Sequence, residues 1–147
     1  MRNFQLEYLI LPDKNLIIEY WGGHPVMDDY FEFKVRMSKD KDFDPQYNVL
    51  IDMRDAELNL QEIDIKNYMK FLEKNKNTIN RRKAVHLTGS PNQVITSMLF
   101  IMNLKKVPII VKTVSTIEAA VNFIDLTNED VDVINDHINQ FKNGHVV

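Results

Sequence analysis

Four short stretches of this sequence carry the residues that could do chemistry: Gly22-Gly23-His24, Asp52-Met53-Arg54-Asp55, Thr88-Gly89-Ser90 and Thr113-Val114-Ser115. Each directly follows an apolar run, and in open α/β sheets ligands sit in the loops outside the carboxyl ends of the strands. Together the four loops offer an imidazole, carboxylates, a guanidinium, hydroxyls and the amino ends of helices, whose free N–H groups and dipole attract anions. A small anion would take Arg54 as its bidentate donor, with Gly23, His24, Asp52, Asp55, Thr88, Ser90 and Ser115 around it. The same residues have plainer duties. Ser90 and Ser115 can cap helices, the glycines can form turns, and Asp52 and Arg54 can simply orient their loop. His24 beside Asp52 or Asp55 is the general-base pairing that hydrolysis needs; ahead of a helix-opening Pro25 it is equally a turn residue.

Other chemistries lack their parts. No two histidines have a metal-site spacing such as i, i+4, so no metal is expected. The sequence holds no phosphate-binding Walker loop, no G-x-S-x-G and no dinucleotide fingerprint, so we read no cofactor and a non-enzymatic protein. With no cysteine there is no thiolate nucleophile and no disulfide framework, which fits a reducing cytoplasm. The net charge of −3 argues against nucleic acid as partner. The amino-terminal Met1-Arg2-Asn3-Phe4-Gln5 lacks the apolar core of a signal peptide. The longest apolar runs, Met98 to Met102 and Val107 to Val111, fall far short of the ~18 residues of a membrane span. A soluble cytoplasmic protein is expected.

The elements that must position the four loops follow from periodicity. Within Tyr47 to Asp55 an apolar run too short for a helix, Val49 to Ile51, breaks into Asp52-Met53-Arg54-Asp55, the pattern of a strand covered on both faces. It should be the central strand. Phe4 to Leu11 and Leu16 to Trp21 flank the turn cluster Pro12-Asp13-Lys14-Asn15 and read as a hairpin. A helix opening at Pro25 should run to about Lys39 with Val26, Tyr30, Phe33 and Met37 inward, and Met27, Phe31 and Val35 alongside. Leu58 to Ile63 reads as the next helix start, with Asn59 as cap, Glu62 reaching back to it and Leu58 packing on Ile63; Ile65, Tyr68, Met69 and Leu72 follow inward, and the end falls among Asn75 to Asn77. Lys83 to Leu87 is a strand. Ser90-Pro91-Asn92-Gln93 starts a third helix to about Lys105, with Val94, Ile95, Met98, Leu99 and Met102 inward. Val107 to Val114 is the last strand, Ser115 caps the helix of Ile117, Ala120, Val121 and Ile124, and a final helix turns Val131, Ile134, Ile138 and Phe141 inward before Gly144.

The order ββαβαβαβαα predicts an α/β protein with a mostly parallel sheet of about five strands, an antiparallel first strand and helices packed on it. Residues 1 to 147 form one domain, of which 127–147 are an added helix and tail. This order, with Tyr20-Trp21-Gly22, Phe43-Asp44-Pro45, Ile51-Asp52-Met53-Arg54-Asp55 and Val114 to Ile124, resembles the SpoIIAA-like, or STAS-like, family over residues 4 to 126. The resemblance implies a layered sheet used as a regulatory interaction module, in anti-sigma factor antagonists and on sulphate transporters, with many small bacterial members of no assigned activity. The antagonists carry a phosphorylated serine or threonine just after the third strand. Here Arg54 to Gln61 holds no hydroxyl residue, so the kinase-controlled switch is not expected.

Two readings of function follow. The third helix carries Phe100, Ile101 and Leu104 beyond its inward set, more apolar surface than one sheet contact covers, so Met98, Phe100, Ile101 and Leu104 are expected to meet a protein partner, a second copy or the final helix. The alternative is a binder of a small anionic ligand or lipid, at the strand-end crevice or in an apolar pocket beneath the Tyr30-to-Met37 helix. Lys39, Lys41, Lys74, Lys76, Arg81, Arg82, Lys83, Lys105 and Lys106 gather where helices end, and there the helix dipole favours cations without any ligand.

Overall fold

The computed structural model describes residues 3–74, 82–104 and 107–144. Its elements are β1 (Phe4–Leu11), a 3-10 turn (Pro12–Lys14), β2 (Leu16–Gly23), α1 (Met27–Ser38), β3 (Asn48–Ala56), α2 (Glu62–Lys74), β4 (Lys83–Leu87), α3 (Pro91–Met102), β5 (Ile110–Val114), α4 (Ile117–Phe123) and α5 (Glu129–Lys142). The five strands lie in sequence order in one sheet. β1 runs antiparallel to β2 and the remaining pairs are parallel. The expected α/β layering with an antiparallel first strand is therefore what forms. The hairpin closes through Asn15, whose φ of 51° is a left-handed conformation that asparagine tolerates.

Because β2 to β5 step across the sheet in one direction, crossovers of one hand leave their helices on one face. Accordingly α1, α2 and α3 cover one side, over Ile17, Val49, Ile51, Met53 and Ala84. α4 and α5 cover the other, over Leu16, Ile18, Leu50, Val85 and Leu87. β3 is the middle strand, and every residue from Val49 to Met53 is buried. Each such aliphatic side chain contributes about 1.5–3 kcal/mol on burial. A bulge opens where β3 leaves the core: Tyr20 faces Asp52 but Gly22 faces Asp55, so Met53 and Arg54 oppose Trp21 alone. The extra residue re-aims the strand end that carries the charges.

Several local expectations are corrected. α1 begins at Met27 rather than at Pro25, because the Asp29 carboxylate accepts the Val26 N–H at 2.9 Å and makes Val26 the cap; Val26 and Val35 are exposed. The second helix starts at Glu62, not at Leu60: Asp64 accepts the Gln61 N–H at 2.9 Å, so Gln61 displaces Asn59 as the cap. Leu58 is buried while Ile63 is exposed, so the staple between them is not made. β5 starts at Ile110, since Pro108 lacks the donor a ladder needs, though Val107 and Ile109 are still buried. Thr116, not Ser115, caps α4, its hydroxyl accepting from Ala119 N at 3.1 Å. The expected end of α2 at Asn75 to Asn77 lies outside the described residues.

The largest correction concerns α3. Of its expected inward residues Leu99 packs partly buried on the core, but Val94, Ile95, Met98 and Met102 are exposed, Ile95, Met98 and Met102 by 57, 52 and 66 %. Gln93 and Ser97 are buried instead, with Phe100 and Leu104 partly buried against the core, a set at i, i+4, i+7 and i+11. The cause lies in the strands below. Ser97 Oγ sits 2.8 Å from His86 Nδ1 and 2.5 Å from Thr113 Oγ1, so polar groups on β4 and β5 draw the Ser97 side of the helix inward. The final helix does not cover the apolar stripe, because α5 lies on the opposite face of the sheet.

Candidate functional site

The four strand-end loops do converge. Thr88 N–H and hydroxyl both reach Val114 O, at 2.9 and 3.2 Å. Gln93 ties three chain segments: its Oε1 accepts Gly89 N–H at 2.6 Å, and its Nε2 donates to Arg54 O and Ala56 O at 3.1 and 2.9 Å. Glu57 N–H reaches Gly23 O at 2.7 Å. Gly23 adopts φ 73°, and a Cβ there would stand 2.3 Å from Asn3 O, so only glycine lets the chain turn at this point.

Their charges are spent on one another. Arg54 Nε and Nη2 grip the wholly buried Asp52 at 2.9 Å each, and the Arg54 pKa is raised by those hydrogen bonds. Asp55 accepts the Tyr20 hydroxyl at 2.6 Å, and Lys142 stands 3.7 Å away. Burial, with that hydrogen bond second, pushes the Tyr20 hydroxyl pKa up. The expected pairing of His24 with Asp52 or Asp55 is not the one formed: His24 Nδ1 faces Glu57 at 3.3 Å, with both side chains largely in solvent. Ser90 caps α3, accepting Gln93 N–H at 3.4 Å, while Ser115 is exposed and caps nothing. The rim is thus a braced edge in which the guanidinium proposed for an anion already holds a carboxylate. Among the described residues no group of three or more potential ligands could hold a metal ion.

A second polar cluster lies where periodicity pointed to plain core, between the sheet and α1–α3. Glu19 on β2 is wholly buried; it receives Trp21 Nε1–H at 3.1 Å and an ion-paired hydrogen bond from Lys34 of α1. Tyr30 packs edge-on to Trp21 and donates to the Tyr68 hydroxyl at 3.4 Å. His86 stacks edge-on with Phe100, and burial, then the Lys34 charge, lowers its pKa to about 4. This imidazole is therefore neutral in the folded protein. The space among Trp21, Tyr30, Tyr68, His86 and Ser97 is about 30 Å³, room for one or two waters and nothing larger. A charge within an apolar strand run (Glu19), and a lysine at i+4 from Tyr30 on the inward stripe of α1 (Lys34), are the sequence signals that mark this cluster.

No protein-family model, curated protein or solved structure matches this chain.

The residues expected to meet a partner divide. Met98 and Ile101 are exposed on α3, whereas Phe100 and Leu104 pack partly buried on the core. Val94, Ile95 and Met102 join the exposed pair to make a wholly apolar outer stripe at helical spacing. Of the expected basic edge, Lys39, Lys41 and Lys74 are exposed and Lys83 pairs with Asp125 at 3.0 Å; Lys76, Arg81, Lys105 and Lys106 lie outside the described residues. No helix among the described residues is long and apolar enough to cross a membrane.

Proposed function

We propose that this chain is a non-enzymatic interaction module, of the STAS-like kind its sequence resembles, and that a protein partner docks on the outer face of α3. One observation carries the reading: Val94, Ile95, Met98, Ile101 and Met102 lie on the exposed side of a single helix. Scattered exposed hydrophobes are ordinary; a continuous stripe of them marks a surface that something covers. Methionine suits such a surface, because its flexible thioether adapts to the shape it meets. The pairing of Arg54 with Asp52, and of His24 with the exposed Glu57, supports the non-enzymatic half of the proposal. With no hydroxyl from Arg54 to Gln61, docking is not gated by phosphorylation at that turn. The order of the five strands and the split of helices between two faces agree with the layered architecture the resemblance implies.

The test compares captures from the native lysate by wild type, Met98→Lys, Ile95→Lys and a control, Val35→Lys, on the exposed side of α1. A protein enriched by wild type and the control but lost from both α3 variants is expected. Equal capture by all four, or none by wild type, overturns the proposal.

A further inference from the structure

Beneath the carboxyl half of α1, between that helix, the Phe43–Pro45 loop and α2, lies a cavity of about 260 Å³. Its walls include Met37, Phe43, Phe71 and Leu72, and the exposed Val35 and Ser38 stand at its mouth. Its polar lining includes Arg82, at the entry to β4, and Lys34. Lys34 already answers Glu19. Arg82 does not have that relief: Nη1 donates to Pro45 O at 3.3 Å, Nε is buried with no hydrogen-bond partner, and among the described residues no carboxylate lies within ion-pair distance. A buried donor of a charged group left unpaired is costly to the fold and is favourable to any ligand that pairs it.

We infer that this cavity binds a compact monocarboxylate with an aromatic or aliphatic tail, the carboxylate on Arg82 and the tail among Phe43, Phe71 and Leu72. Charge sets the head group: the lining carries two cations, Lys34 is already paired with Glu19, and a monoanion on Arg82 balances the other. Arginine's fork also matches a carboxylate in plane. Volume sets the tail: an apolar cavity of about 150 Å³ takes up benzene, so 260 Å³ takes a ligand of about ten non-hydrogen atoms by the same scale. The site is separate from the α3 stripe, so it stands or falls independently of partner docking.

The experiment titrates the full chain with 3-phenylpropionate, octanoate and the uncharged 3-phenylpropionamide, by calorimetry and by amide chemical-shift mapping. Both carboxylates are expected to bind saturably, with shifts centred on Phe43, Phe71 and Leu72, and the amide at least 10-fold more weakly. Arg82→Met should weaken carboxylate binding at least 10-fold and amide binding by less, closing the gap between acid and amide, and Arg82→Lys should restore part of it. Met98→Lys should change nothing. The wild-type comparison of acid with amide needs no variant to fold. Equal affinity for acid and amide, shifts centred on Arg54 instead, or no saturable binding of either acid overturns the inference.

Discussion

Lys34→Met would leave Glu19 in the interior without its ion-pair partner and, among the described residues, with the Trp21 indole as its one side-chain donor. The Lys34 side chain is only 11 % exposed and that of Glu19 not at all, so solvent screens little of the loss. Removing one partner from a buried, hydrogen-bonded ion pair costs about 3–5 kcal/mol. Against the roughly 5–15 kcal/mol that holds a domain together, that is about a fifth or more of the total. Removing both charges should be far milder. In Glu19→Gln/Lys34→Met the amide oxygen still accepts from Trp21 and the methionine fills the space of the lysine stem, so the double variant should return to within about 1 kcal/mol of wild type. Urea denaturation followed by far-ultraviolet circular dichroism gives both numbers, with an unchanged slope showing that compactness is preserved. A Lys34→Met cost below about 1 kcal/mol, or a double variant less stable than the single, would refute the interior ion pair.

His86 should titrate in the folded protein near pH 4 rather than 6.5; the unfolded chain takes the proton first, so its contribution lowers stability as pH falls from about 6.5 to 4. The penalty approaches about 3 kcal/mol, read as the wild-type minus His86→Gln difference in urea, and an imidazole midpoint near 6.5 by NMR would contradict it. Gly23→Ala and Gly144→Ala place alanine at the same φ of 73°, but only at Gly23 does the new Cβ meet backbone, at 2.3 Å; Gly144→Ala should cost about 1 kcal/mol and Gly23→Ala clearly more. Thr116→Ala should cost about 1 kcal/mol in thermal unfolding as a lost helix cap, and Ser115→Ala less than about 0.5; the reverse ranking would restore Ser115 as the cap.

What could be read in the sequence follows from where each decision is made. β3 was legible because the apolar run Val49 to Ile51, too short for a helix and ending in charge, fits a strand covered on both faces. α4 and α5 were legible because each has one apolar stripe and a polar remainder, leaving no choice of face. α3 has two stripes of comparable claim, and nothing within residues 91–102 says which turns in; His86 and Thr113, on strands before and after it, decide by hydrogen bonding Ser97. Helix starts slipped wherever two residues compete for one cap, as Asn59 with Gln61 and Ser115 with Thr116 do. The rim was found but not its state of charge, because whether Arg54 faces a ligand or Asp52 depends on side-chain geometry two residues apart. Glu19 and Lys34 are distant in sequence, and only the crossing of α1 over β2 joins them.

The proposed docking face can be tested without knowing the partner. A photoreactive phenylalanine analogue at Met98 or Met102, and at Val35 as control, is activated in the native lysate and the adducts are resolved by mass. The account predicts one discrete adduct from positions 98 and 102, absent at 35. Adducts of equal yield at all three positions, or none at 98 and 102, would contradict it.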